Sequence, residues 1–210
     1  MWVRGAAIRP VPRYAVVTKS TLDQIECELA DDSPGGQSAL DGAFARFEST
    51  QPQLADAISQ VLSKPLDETA LALGYFLSIA IWLAFERTFG EARLRQVSSD
   101  ALIATDEAIT LEEELRAAHG AEPLDLDDVV SVEQPNVLGF VHEHVDAALD
   151  PSRKTEEEDS FGAGAPKEHK PEINDVRSVY RAIVLLTLCM SHAVVPVDGA
   201  ASRGSVELMA

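Results

Sequence analysis

Five histidines, two cysteines and a large excess of carboxylates are the groups in this 210-residue chain that could bind a metal, move a proton or attack a substrate. The histidines are His119, His142, His144, His169 and His192. A carboxylate-bridged di-metal site in a helix bundle needs Glu on two helices and Glu-x-x-His on two others, and no Glu-x-x-His occurs. His142 and His144 flank Glu143, but residues two apart on a helix point about 200° apart and cannot face one site together. His192 falls at the end of an apolar run, where an imidazole suits the terminal carbonyls of a helix. Nucleophilic catalysis has no Gly-x-Ser-x-Gly to work from, and Gly162-Ala163-Gly164-Ala165 follows no strand, so it is not a phosphate loop. Cys27 and Cys189 are far apart and form no Cys-x-x-Cys. That excludes a zinc ribbon or disulfide framework and fits small residues in a reducing compartment. These patterns point away from an enzyme and supply no metal or cofactor site.

Two groups of residues remain as candidates. Tyr75, Trp82, Glu86 and Tyr180 flank the most apolar stretches and could line a ligand cavity between two long helices, where Glu86 is either a buried functional carboxylate or a helix-end acid that points to solvent or pairs with a base such as Arg87 or Arg93. Glu112, Glu113 and Glu114 belong to an acidic run suited to a basic partner. Between Asp100 and Asp128 ten carboxylates (Asp100, Asp106, Glu107, Glu112, Glu113, Glu114, Glu122, Asp125, Asp127 and Asp128) face Arg116 alone, which is half of the chain's net charge of −18. Such a field repels phosphate backbones, so direct nucleic-acid binding is excluded over most of the surface. A solvated acidic face, docking of a basic protein, salt adaptation and mimicry of a nucleic acid are the readings it leaves.

The elements that would position these residues are helical. Hydrophobic residues make up 46% of the chain and charged ones 25%, as in soluble globular proteins. Residues 1–19 carry Pro10 and Pro12 and read as a flexible tail or a short edge strand. Leu22, Ile25 and Leu29 mark a first helix, and Asp31 to Gly36 a loop. Leu40, Phe44 and Phe47 mark a second, ending before Gln51-Pro52, and Leu54, Ile58, Val61 and Leu62 form the apolar face of a third. From about Leu66 to Phe89 the chain is apolar around nearly the whole helical circumference and must be covered on most sides, with Gly90 as its stop. Thr69 to Phe85 is uncharged, which falls short of the roughly 20 residues of a membrane span, so a buried helix and no membrane is expected. Ser99 to Ala118 is an acidic helix or two shorter ones, with Thr110 and Glu113 as a capping box and Leu102, Ile109 and Leu115 facing the core.

The second half repeats this grammar. Shifting the sequence by 83 residues, from Pro52 to Pro135, lays Gln51 on Gln134 and Leu54, Ile58 and Leu62 on Val137, Val141 and Val145. A long apolar helix from Asn174 to Ala193 then matches the central one. The expectation is an all-α helical bundle over residues 20–195 with an internal duplication of a helix pair, in halves of about 40–98 and 123–195, and with flexible N- and C-terminal tails, the latter over 196–210. Residues 150–172, with four clustered acids, two glycines and three prolines, read as a mobile loop inserted in the second copy. Replacing Ser152 to Lys170 by a short Gly/Ser linker should leave the melting temperature nearly unchanged, since closure entropy alters by only ~0.6 kcal/mol per halving of loop length. A thermal melt of the deletion variant checks this. The functional expectation is a soluble, cytoplasmic, acidic helical interaction or accessory protein without catalytic activity. The alternatives are an enzyme or small-ligand binder with a cavity between the two long apolar helices, and an acidic nucleic-acid mimic.

Overall fold

The computed structural model describes residues 8–29, 34–118, 133–149 and 173–197, and within them the chain forms an all-α bundle. The helices are α1 (Lys19–Leu29), α2 (Pro34–Thr50), α3 (Pro52–Leu62), α4 (Glu68–Phe89), α5 (Ser99–Ala118), α6 (Pro135–Leu149) and α7 (Ile173–Ala193). The loop 150–172 and the tail residues 1–7 and 198–210 lie outside the described residues.

The two long apolar helices are neighbours at the centre, as their composition requires. In α4 every residue from Leu77 to Phe85 is buried, and in α7 every residue from Ala182 to Ser191. The Asp67 side chain caps α4 by accepting the Ala70 amide at 2.9 Å, and Gly90 ends it in a left-handed conformation, φ 68°, that a side chain would strain. Close packing of α4 on α3 and α7 depends on Gly74, where a methyl group would stand 2.5 Å from Leu62 Cδ2 and 3.3 Å from Val179 Cγ2. The buried hydroxyls of Ser78, Thr187 and Ser191 are satisfied by the carbonyls one turn back, so the apolar interior carries them without cost in unpaired groups. Among the described residues α4 is long and apolar enough to cross a membrane, yet 67% of its most apolar window is buried inside the bundle, as in the core helix of a soluble protein.

The duplication has a definite three-dimensional form. Gln51 and Gln134, each just before the proline that opens a helix, are both buried, and each accepts and donates with a short extended segment of the opposite half. Gln51 Nε2 donates to the Arg95 carbonyl at 3.0 Å while the Val97 amide donates to Gln51 Oε1 at 2.8 Å. Gln134 Nε2 donates to the Ala15 carbonyl at 2.6 Å while the Val17 amide donates to Gln134 Oε1 at 3.2 Å. In each case the amide satisfies residues n and n+2 of an extended chain, as a neighbouring β-strand would. One residue further on, Thr18 and Ser98 occupy equivalent N-cap positions: their hydroxyls accept from the Thr21 and Ala101 amides, and their carbonyls from Leu22 and Leu102. The repeated unit is therefore an extended segment, a capped helix, a Gln-Pro helix and a long apolar helix. Exchanging α1 with α5, α3 with α6 and α4 with α7 turns each packing of these six helices into another that is also present: α1 on α4 and α5 on α7, α3 on α7 and α6 on α4, α1 on α6 and α5 on α3, α3 on α4 and α6 on α7. The α4–α7 pair maps onto itself. Residues 119–132, where a counterpart of α2 would fall, lie outside the described residues.

Several local expectations need correction. Ile8, Val11, Ala15 and Val17 are buried, and 8–18 is a packed segment with one 3-10 turn (Arg13–Ala15), neither tail nor strand. It supplies the extended segment clamped by Gln134, as residues 95–97 supply the one clamped by Gln51. Helix α2 begins at Pro34, inside the stretch read as a loop, because proline is tolerated in a first helical turn. Helix α5 runs unbroken through Thr110, whose hydroxyl bonds the Asp106 carbonyl instead of capping a new helix. Leu115 is 43% exposed, whereas Glu112 is 4% exposed, so the buried stripe of α5 is rotated from the one inferred from its aliphatic residues.

Candidate functional site

Tyr75, Trp82, Glu86 and Tyr180 do not gather around one cavity, because α4 and α7 pack directly on each other and turn these residues to different sides. Trp82 is 1% exposed, with its ring 5.6 Å from that of Phe47 on α2 and the Arg46 guanidinium 5.5 Å from its centroid. Glu86, one turn along, pairs with the same Arg46 at 3.3 Å, so its partner comes from α2 and is neither Arg87 nor Arg93. Arg87 instead pairs with Glu28 on α1, which raises the pKa of Arg87 and lowers that of Glu28, chiefly through the hydrogen bond between them. Tyr75 is 43% exposed beside Phe44. Tyr180 meets His142 across α6 and α7, with the phenol oxygen 3.1 Å from Nε2. Of the three consecutive acids, Glu112 is buried, Glu113 bonds Arg181 and Glu114 points to solvent. His192, expected to serve the end of its helix, bonds the Arg9 carbonyl across the fold at 3.2 Å. Burial lowers its pKa, against the raising effect of that bond.

Among the described residues a concave feature lies elsewhere, between α3, α5 and α7. It is a groove of about 600 Å³ with an aliphatic interior that includes Ile58, Val61, Leu102, Ala182 and Leu185. Sequence reasoning missed it because it arises from small side chains, Ala57 and Ala182, on two helices far apart in the chain. Its polar wall centres on Arg181, whose guanidinium donates to Asp106 Oδ1 at 2.7 Å, Thr110 Oγ1 at 2.9 Å and Glu113 Oε2 at 3.3 Å. Burial works against the arginine's charge, and the hydrogen bond and charge of Asp106, with Glu113, outweigh it, so its pKa is held above the ordinary value. Arg181 is thus fixed and neutralised by its own α5 partners. Glu107 and Lys64 stand at the rim.

Nucleophiles are unpromising by contrast. Cys189 is buried on α7, and burial raises its thiol pKa to about 11, so at neutral pH it is protonated and inert. Cys27 is exposed. A thiol reagent at pH 8 should therefore titrate one cysteine per native chain and the second only in denaturant; two fast thiols in the native protein would contradict the packing around α7. Among the described residues no three His, Cys, Asp or Glu side chains are grouped as a metal ion would need.

Among the described residues the groove, with its aliphatic interior, fixed arginine and acidic α5 wall, is shaped to receive another molecule. Comparison with known proteins adds nothing to this: no family model, curated protein or solved structure matches the chain.

Proposed function

We propose that the protein is a non-catalytic helical interaction module of the cytoplasm that binds a basic polypeptide. The observation that carries this reading is the acidic helix α5, which forms one wall of the α3–α5–α7 groove and sets an apolar binding surface inside a field of net charge −18. Apolar area provides affinity at such a site, and the field speeds and selects encounter with a cation. The ion pairs of Arg181 with Asp106 and Glu113 read as scaffold that holds the α5 and α7 walls of the groove, and the two unpaired cysteines suit a reducing compartment.

Selection of a random peptide library on the immobilised full-length protein tests the reading. Basic peptides should be enriched, and their affinity should fall several-fold as salt rises and shortens the Debye length from about 10 Å at 0.1 M towards 3 Å at 1 M. Enrichment of neutral or acidic peptides would overturn it. The groove volume also falls within the roughly 300–1,000 Å³ typical of small-ligand pockets, which favours a small-molecule binder as the second reading. Native mass spectrometry of the purified protein, with a retained adduct lost on denaturation, would support that alternative.

A further inference from the structure

The two-fold arrangement gives the groove a counterpart in the other half of the molecule, and the counterpart is full. Under the exchange that superposes Gln51 on Gln134 and Val17 on Val97, Ala57 and Val61 of α3 correspond to Phe140 and His144 of α6, and Asp106 of α5 to Glu26 of α1. Matching the buried runs of the long helices places Ala182 of α7 on Phe76 of α4. Those four counterparts form one cluster. Phe76 lies 6.1 Å from Phe140 and 4.9 Å from His144, ring to ring, and Phe140 lies 4.3 Å from His144. His144 Nε2 stands 3.3 Å from Glu26 Oε1. So where one half places two phenyl rings and an imidazole facing a carboxylate, the other places two alanines and a valine facing Asp106, and the groove of about 600 Å³ is what remains.

We infer that the open half receives from a partner polypeptide what the filled half carries itself: an aromatic side chain with a basic group beside it. The ring enters between Ala57, Val61 and Ala182, and the cation meets Glu107 at the rim, Asp106 being held by Arg181. Charge selects the occupant. Arg181 is neutralised by Asp106 and Glu113, and the molecule as a whole carries −18, so a second copy of this chain would be repelled while a basic segment is attracted. Aromatic anchors in pockets with a charged rim are the usual seat of binding energy in such contacts. This inference rests on the interaction-module reading and adds to it the site and the required side chains.

Three fluorescein-labelled peptides of equal length test it by fluorescence anisotropy on the full chain: one alternating lysine and tryptophan, one lysine and serine, one glutamate and tryptophan. The lysine–tryptophan peptide should bind at least about ten-fold more tightly than either other, the gain expected of a buried aromatic anchor. The double variant Ala57→Phe/Ala182→Phe, which refills the groove as the other half is filled, should lose that binding while keeping its melting temperature. If that variant does not fold, Val61→His alone and methyl NMR of Ile58, Ile103 and Leu185 in the unmodified protein carry the test, with shifts at these methyls expected on titration. Equal binding of the lysine–serine peptide would overturn the groove inference and leave the interaction module standing; binding by none of the three would overturn both. Unchanged binding by the refilled variant, unmoved groove methyls, or tryptamine binding as tightly as the peptide would each overturn the assignment to a partner chain.

Discussion

Gln134→Leu is expected to destabilise the protein by about 3–5 kcal/mol. Leucine keeps the volume but leaves the Ala15 carbonyl and the Val17 amide without the partner that holds them, and takes one donor from Ser191. Gln134 is 0% exposed, so water cannot replace these bonds, and each stranded buried group costs about 1–3 kcal/mol. Ser191 retains its bond to the Thr187 carbonyl and adds little to the loss. For a chain of this size the melting temperature should fall by roughly 6–20 °C, at about 2–4 °C per kcal/mol. Gln51→Leu removes the equivalent bonds, but Arg95 is exposed and its carbonyl can turn to water. That variant should lose about 2–3 kcal/mol, and a chemical denaturation series on both separates them.

Trp82→Ala should cost a similar amount, about 3–5 kcal/mol, for a different reason. The indole lies against the Phe47 ring and under the Arg46 guanidinium, and at 1% exposure its removal leaves a cavity in the core. Arg46 also loses the ring beneath it, so its pairing with Glu86 should loosen as well. Trp82→Phe keeps most of the volume and should lose clearly less. A thermal or urea melt decides the matter. Unchanged stability together with lost peptide binding would instead make Trp82 a ligand contact and move the site to α2 and α4.

What the sequence disclosed follows the range of each signal. The helices around Leu54–Leu62 and Val137–Val145 show their faces through spacing alone, and the matching Gln-Pro pairs disclose the repeat, because both are local patterns. The central position of α4 and α7 follows from their all-round apolarity. The use of the two glutamines was not legible: nothing near Gln134 signals that its amide completes the chain at Ala15 and Val17, and a buried polar residue before a proline reads as an ordinary helix start. The same holds for residues 8–18, whose burial is created by contact with α6 and α7 (Glu133, beside the start of α6, takes the Val11 amide, and His192 the Arg9 carbonyl) and not by any pattern of their own. Carboxylates with the same local appearance had separate fates. Glu112 is buried, Glu113 is engaged by Arg181 and Glu114 faces water, because the rotation of α5 against α3 and α7 is set by contacts from distant parts of the chain. The groove was least legible of all, since it is the place where positions that hold large residues in one half hold small ones at the equivalent places in the other.

Amide hydrogen exchange at Val17 and Val97 tests the reciprocal capture of each half by the other most directly. Both amides lie in extended segments outside any helix, and each donates to a glutamine oxygen from the opposite half. Both should exchange far more slowly than exposed coil, and Gln51→Leu should release Val97 while Val17 stays protected. Exchange of Val17 and Val97 at coil rates in the unmodified protein would contradict that capture.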